Sequence, residues 1–98
     1  MMGKTVRSRE GKTLKVEIES TENKISKIVI SGDFMVFPPK VIEELESSLQ
    51  GRMMEEVEDT VMKVLRGAQL LGITPEEIVG TIKEILSSHR HAHQRTSR

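Results

Sequence analysis

The fold of this chain is decided by the stretch Ile28-Val29-Ile30-Ser31-Gly32-Asp33-Phe34-Met35-Val36-Phe37-Pro38-Pro39. Its first residues predict a buried strand that stops at Gly32, and the two prolines favour the start of a helix. Between them lie Asp33 and the only two aromatic side chains of the chain, Phe34 and Phe37. Because all the aromatic area is placed at one strand-to-helix junction, we expect this junction to serve packing or docking.

The residues before the junction predict an antiparallel meander of two or three strands. Apolar and charged residues alternate between Thr13 and Glu19, which is typical of a strand with one buried and one solvent-exposed face. A further strand is predicted over 24–31, and a weaker one over 4–9. Strict alternation in the 24–31 strand separates Ile28 and Ile30 from Ile25 and Val29. Apolar residues on both faces favour a central strand, or a strand whose second face meets a partner.

After Pro39 the apolar spacing becomes helical and predicts three helices. The first follows the prolines, the second covers about 54–66, and the third begins at Thr74. Thr74 and Glu77 have the spacing of a capping box, with proline at the first helical position. The apolar linker over 69–73 is expected to be buried beneath the helices. The predicted fold class is therefore α+β, a two- to three-stranded antiparallel meander followed by three α-helices packed on one face.

The length of 98 residues is enough for one domain with one core. We place a single α+β domain at residues 1–87 and a mobile basic tail at residues 88–98. The tail contains the three histidines, His89, His91 and His93, but no apolar stripe and no acid. A mobile segment without a carboxylate does not hold metal geometry, so a non-functional tail is favoured.

The composition excludes several classes of function. The absence of cysteine excludes disulfides, thiolate metal sites and cysteine nucleophiles. A formal net charge of zero argues against general nucleic-acid binding. No apolar run approaches the roughly 20 residues that a membrane span needs, and the N-terminus has no secretory stretch, so a cytoplasmic protein is expected. No catalytic, cofactor-binding or metal-binding residue is predicted, and Asp33 is more typical of a turn or helix cap than of catalysis.

Several segments carry a resemblance to a known family: Gly11-Lys12-Thr13-Leu14-Lys15-Val16-Glu17-Ile18, Ile28 through Met35, Ile42-Glu43-Glu44-Leu45-Glu46, Leu49-Gln50-Gly51, and Leu71-Gly72-Ile73-Thr74-Pro75-Glu76-Glu77-Ile78. Together they resemble the small accessory domain of lipoate–protein ligases. In some bacteria this domain is the C-terminal part of one long ligase, and in many archaea and some other bacteria it is a stand-alone small subunit. The most specific block is Ser31-Gly32-Asp33-Phe34. The chain departs from the pattern at Met35, where many relatives are expected to have a second aromatic residue.

The resemblance implies a non-catalytic accessory subunit that acts with a large catalytic subunit. Together they would form lipoyl-adenylate from lipoate and ATP before transfer to a carrier-domain lysine. The resemblance places lipoate, ATP and a divalent metal on the large subunit, and no cofactor on this chain. We hypothesise that Gly32, Asp33 and Phe34 lie at the intersubunit contact. No nucleic acid or membrane is expected as a partner, and the isolated chain could form a homo-oligomer.

Two other classes of function remain open at this point. The first is a free-standing interaction or regulatory domain, such as a homodimer, with no link to lipoate. The second is a nucleic-acid-binding module that uses the basic strands and the tail. The near-absence of aromatic residues on the predicted strands argues against base stacking in the second case.

Overall fold

A computed structural model of the protein describes the backbone of residues 2–96 and the side chains of residues 2–88. Its strands are β1 (Met2–Arg7), β2 (Thr13–Thr21), β3 (Lys24–Gly32), β4 (Met35–Phe37) and β5 (Gln69–Leu71). Its helices are α1 (Val41–Leu49), α2 (Met54–Leu65) and α3 (Pro75–Thr96). The predicted α+β class, with an antiparallel meander followed by three helices, is confirmed.

Strands β1, β2 and β3 form an antiparallel sheet in that order, so β2 is the central strand. Val16 lies opposite Lys4 on one side and Ile30 on the other. The inward face of β2 carries three side chains that are fully shielded from solvent: Leu14, Val16 and Ile18. The prediction that the strand over 24–31 is central was wrong, because β3 lies at the edge of the sheet.

A β-bulge explains why buried apolar residues occupy both odd- and even-numbered positions of β3. Lys27 lies opposite Glu19, but Ile25 lies opposite Ser20, so Ser26 is an extra residue in the ladder. An extra residue reverses the alternation, and Ile25 therefore faces inward. It is fully buried in the same core as Ile28 and Ile30. Strict alternation had wrongly assigned Ile25 to the opposite face.

The outer edge of β3 is covered by α1 and the loop that follows it. The Glu46 carboxylate accepts a hydrogen bond from the Ile30 N–H at 2.8 Å. The Ile25 N–H donates to the Arg52 carbonyl at 2.9 Å, and the Gly51 N–H donates to the Ile25 carbonyl at 2.7 Å. These bonds satisfy edge groups that would otherwise be open to another chain.

Each helix turns one apolar stripe toward the sheet or toward a neighbouring helix. The buried stripe residues are Val41, Leu45 and Leu49 in α1, Val57, Val61 and Leu65 in α2, and Ile78, Ile82 and Ile85 in α3. Together with the inward residues of the sheet they form one aliphatic core. The predicted stripes are confirmed at these positions.

The capping box predicted for α3 is confirmed. The Glu77 N–H donates to the Thr74 hydroxyl at 3.1 Å, and the Glu77 carboxylate accepts from the Thr74 N–H at 3.0 Å. The same carboxylate also accepts from the Arg9 N–H at 2.8 Å. The bond from Arg9 and those from Thr74 lower the pKa of Glu77 against the opposing effect of burial.

Helix α3 is longer than predicted, because its helical backbone continues through Thr96. Residues 88–96 contain no glycine or proline that would stop a helix. The mobility of the tail and the boundary at residue 87 stay predictions. The side chains of His89, His91 and His93 lie outside the described residues. None of the helices within residues 2–96 has the length and apolar composition needed to cross a bilayer.

Strands β4 and β5 were missed by the sequence analysis. They pair antiparallel, with Met35 opposite Leu71 and Phe37 opposite Gln69, and we call this pair the ribbon. The linker prediction was wrong for Gln69 and Leu71, which are exposed, although Ile73 is buried. Strands of three residues are too short for periodicity to identify.

We predict that Glu77→Gln lowers the free energy of unfolding by about 1 kcal/mol at pH 7. The folded-state pKa of Glu77 is below the ordinary 4.5, so the charged carboxylate contributes its full stabilisation above pH 4.5. That contribution is lost as the pH falls through the folded pKa. The difference between wild type and variant should therefore shrink on acidification. Urea unfolding between pH 7 and pH 3 measures it.

The matched control for this prediction is Glu76→Gln. Glu76 is an exposed neighbour in the same helical turn, and the substitution removes the same charge. Its effect on the free energy of unfolding at pH 7 should be smaller, because the capping box is formed by Glu77 and Thr74. Identical pH profiles for the two variants would contradict the role assigned to the Glu77 hydrogen bonds.

Candidate functional site

The junction begins at Gly32, where β3 comes very close to the start of β2. Gly32 has φ +156°, a conformation that residues with a side chain rarely adopt. A Cβ at this position would overlap the Thr13 carbonyl oxygen, and it would lie 2.7 Å from the Phe34 ring. The close approach of two backbones therefore requires glycine here.

Asp33 links the junction to Thr13 of β2 by two hydrogen bonds. Its carboxylate accepts a hydrogen bond from the Thr13 N–H at 2.6 Å, and its own N–H donates to the Thr13 carbonyl at 3.3 Å. The side chain replaces a ladder partner for Thr13 at the point where the β2–β3 pairing stops. The residue itself is exposed. Asp33 therefore both holds a turn and presents a carboxylate at the surface.

The two phenylalanines take different roles. Phe34 is half-buried and packs against the hydrophobic core. Phe37 lies on β4, and 40 % of its surface is exposed. The structure thus assigns core packing to Phe34 and leaves Phe37 open to solvent.

Met35, Phe37 and Leu71 form one exposed apolar surface, which we call the ribbon face. Met35 and Phe37 are two residues apart on β4, and Leu71 lies directly opposite Met35, so all three point to the same side. Their exposed fractions are 53 %, 40 % and 47 %. On the other side of β4, Val36 is buried in the core.

The ribbon face is an unusual concentration of apolar surface for this molecule. Within the described side chains, four large hydrophobic residues are exposed, and three of them are on this face. The fourth, Met53, is 39 % exposed and pairs with Lys24 at the opposite end of β3. Isolated exposed apolar residues need no explanation, but a cluster of them indicates an interaction site.

A buried serine connects the ribbon to the β1–β2 turn by hydrogen bonds. The Ser8 hydroxyl donates to the Gly72 carbonyl at 2.7 Å and accepts from the Lys12 N–H at 3.0 Å. Gly72 directly follows β5, and nearby the Arg9 N–H is bound by Glu77. The turn, the ribbon and the start of α3 are therefore joined at one end of the molecule.

Three cations lie on the segments that flank the ribbon. The Lys12 side chain lies against Gly72, Lys40 follows the two prolines after β4, and Arg66 ends α2 shortly before β5. Among the described side chains, these three make no ion pair. The ion pairs found there involve other residues: Lys4 with Glu84, Arg52 with Glu56, and Lys83 with Glu58. The ribbon face consequently has an apolar centre, and its flanks carry these three cations and the exposed carboxylate of Asp33.

Other parts of the described surface offer less organised chemistry. Over residues 2–88, no group of three or more His, Cys, Asp or Glu side chains is placed to hold a metal ion. A groove of about 280 Å³ between α1 and α2 is open to solvent and lined by charges of both signs, including Arg52, Glu56 and Lys63. The most specific arrangement is therefore the end that contains the junction and the ribbon face.

Comparison with known families identifies the family of this chain. Residues 4–82 match the family described as the C-terminus of bacterial lipoate protein ligase. The chain belongs to this family. The matched region contains the junction, both strands of the ribbon and the first part of α3, up to residue 82. The resemblance inferred from the sequence is confirmed.

A relative from Thermoplasma acidophilum is similar over nearly its whole length. This protein, lipoate-protein ligase A subunit 2, is 30 % identical over 86 residues, which cover 87 % of this chain and 90 % of the relative. A chain from the solved structures of a bi-partite lipoate protein ligase and its E2 lipoyl domain from the same organism has a TM-score of 0.76. That match has 30 % identity and covers 83 % of this chain and 93 % of the other.

The structure brings the predicted site residues and the missed ones to the same end of the molecule. Gly32, Asp33 and Phe34 lead directly into β4, and their role in an intersubunit contact stays a prediction. Sequence reasoning did not identify Met35 and Leu71 as members of one surface. The available signal was the uninterrupted apolar run 34–37, since one face of a short strand can be buried in the core while the other remains open.

We predict that Gly32→Ala destabilises the protein by about 1–3 kcal/mol. The added methyl group would overlap the Thr13 carbonyl oxygen in a conformation that alanine disfavours. Guanidinium unfolding monitored by circular dichroism measures the change. Gly80→Ala is the control, because Gly80 lies in α3 with no atom within 4 Å of a new Cβ. That variant should be stabilised by about 0.5–1 kcal/mol, and an equal loss in both would contradict the steric requirement for glycine at position 32.

We predict that Asp33→Ala costs about 1–2 kcal/mol of stability, because the Thr13 N–H loses its acceptor. Asp33→Asn should retain most of the stability, since an amide oxygen can accept the same bond. Thermal unfolding of both variants against wild type provides the measurement. If Asp33→Asn destabilises the protein as much as Asp33→Ala does, the contribution of Asp33 to stability does not come from the hydrogen bond with Thr13.

Proposed function

We propose that this chain is the small accessory subunit of a bi-partite lipoate–protein ligase. The observation that carries the proposal is its match, at 30 % identity and across 90 % of the relative's length, to subunit 2 of the Thermoplasma acidophilum ligase. A match of that extent leaves only about a tenth of the relative uncovered. The family match over residues 4–82 supports the same assignment.

In the proposed division of labour, the large subunit binds lipoate, ATP and a divalent metal. The lipoate carboxylate attacks the α-phosphorus of ATP, so lipoyl-adenylate forms and pyrophosphate leaves. The amine of a carrier-domain lysine then attacks the carbonyl carbon of the adenylate, so that an amide forms and AMP leaves. The small subunit takes part in no covalent step and is needed for the activation step. By packing against the large subunit, it orders the groups that bind the nucleotide and keeps water from the adenylate.

The surface of this chain is suited to such a role. It presents an apolar face, flanked by three cations and the Asp33 carboxylate, on a tightly fastened end of the molecule. Within the proposed contact, Gly32 permits the backbone turn and Asp33 offers a carboxylate at the surface. Phe34 supports the strand that carries Phe37. A cytoplasmic location is consistent with a partner enzyme that consumes ATP.

The two alternative functions have weaker support. A free-standing regulatory domain without a ligase partner does not account for the match to a ligase subunit. A nucleic-acid-binding module would need a positive field, and the formal net charge of the chain is zero.

We predict that the large subunit from the same organism co-purifies with this chain and forms lipoyl-adenylate only when the chain is present. Omission should lower the rate of pyrophosphate release by at least about tenfold, since an unordered adenylation site loses preorganisation. The assay compares the large subunit alone, this chain alone and the mixture, with lipoate and Mg-ATP. A control mixture contains an unrelated protein of similar size.

Either of two results would contradict the proposed function. The large subunit could reach its full rate without this chain, or this chain alone could convert lipoate and ATP to the adenylate. Asp33→Asn in the same assay tests the junction hypothesis separately. A stable variant that loses complex formation would support a direct contact by the carboxylate.

A further inference from the structure

We propose that the ribbon face is the apolar centre of the surface on which the large subunit docks. Met35, Phe37 and Leu71 would be buried in the complex, and the flanking cations would face acidic groups of the partner. This inference rests on the proposed function, because it names the partner. It adds the location of the contact and its chemistry, which differ from the junction residues predicted from the sequence.

Folding of this chain does not explain the apolar character of the ribbon face. The inner side of the ribbon already supplies Val36 and Leu70 to the core. Met35, Phe37 and Leu71 are each about half exposed, so polar residues could occupy these positions without loss of core packing. Aromatic and methionine side chains are enriched at the centres of protein interfaces. An apolar outer face on a two-stranded ribbon is therefore best explained by a partner.

Hydrogen bonds attach the ribbon to the rest of the domain in the free chain. The junction aligns β4 through the bonds between Asp33 and Thr13, and the Ser8 hydroxyl fixes the residue after β5. A surface that is already ordered loses little conformational entropy on binding, which favours affinity. Hydrogen bonds that order a surface in advance are expected at a docking site, whereas a loop that only contacts solvent does not need them.

The charges around the ribbon face favour the large subunit over a second copy of this chain. A symmetric dimer centred on this face would gather the flanking cations of both copies, Lys12, Lys40 and Arg66, into one interface, with only Asp33 of each copy as an exposed carboxylate of the junction. Like charges placed across an interface oppose association. A different protein can instead supply carboxylates around an apolar pocket. A typical stable interface buries about 800 Å² per partner, so the flanking segments would contribute contacts around the three central side chains.

The experiment measures the affinity of purified variants for the large subunit by isothermal titration calorimetry. Met35→Thr, Phe37→Thr and Leu71→Thr remove apolar area and retain a residue type that suits a strand. Each is expected to raise Kd by about tenfold or more, as for residues at the centre of an interface. Met53→Thr is the matched control, because Met53 is 39 % exposed at the other end of β3. Its Kd should remain within about twofold of wild type.

The charged flank is tested by association rates at several salt concentrations. Lys40→Glu should slow association and reduce its dependence on salt, because a steering charge is reversed. Lys27→Glu is the control, since Lys27 is an exposed cation on β3, away from the ribbon. It makes the same change of charge and should affect the rate much less.

A measurement on the wild-type complex keeps the proposal testable if a variant fails to fold. Hydroxyl-radical footprinting oxidises exposed methionines, and Met35 and Met53 are both exposed in the free chain. Addition of the large subunit should protect Met35 severalfold and leave Met53 unchanged. Continued full oxidation of Met35 in a saturated complex would overturn the proposal.

The possible outcomes separate this inference from the proposed function. If the wild-type chain binds and activates the large subunit but the ribbon variants do so equally well, the docking surface is wrong and the proposed function stands. If the ribbon substitutions abolish a homodimer and leave the affinity for the large subunit unchanged, a second copy covers the face and the inference is overturned. If the wild-type chain does not bind the large subunit, both proposals fail.

Discussion

The architecture depends on the close approach of two backbones where β3 ends against the start of β2. The absence of a Cβ at Gly32 permits the approach to Thr13, and Asp33 makes two hydrogen bonds to the same residue. This constraint sends the chain out of the three-stranded sheet and into β4. The direction of β4 then determines where β5 can pair and where α1 can start. A single steric requirement thus connects the sheet, the ribbon and the helical layer.

At this end of the molecule, some apolar residues pack in the core and others are exposed and available for binding. Phe34 and Val36 pack on the protein's own core, whereas Met35 and Phe37 face solvent on alternating positions of the same segment. The core itself is aliphatic and needs no further aromatic residue. Exposure of the ribbon face therefore costs the isolated chain little stability, and it leaves apolar area available for another protein. The hydrogen bonds of Ser8 and Glu77 keep that area in one orientation.

This organisation is physically reasonable for an accessory subunit. A protein that assists an adenylation reaction without taking part in it must supply a shaped surface at a defined position. A small, rigid α+β domain can do so at low entropic cost, because few groups have to be ordered on association. The family match and the similarity to subunit 2 of the Thermoplasma acidophilum ligase show that the chain belongs to the lipoate–protein ligase C-terminal family.

The sequence by itself determined the fold class, the meander, the helical stripes and the capping box at Thr74 and Glu77. These features depend on local periodicity and on caps that neighbouring residues form with one another. Only the tertiary structure decided the edge position of β3, the pairing of β4 with β5 and the exposure of Met35, Phe37 and Leu71. The bulge at Ser26 reverses the alternation within a strand, and the ribbon joins segments more than 30 residues apart. The apolar run 34–37 does not by itself say which of its residues are buried, because burial at such positions is determined by which distant segment lies opposite.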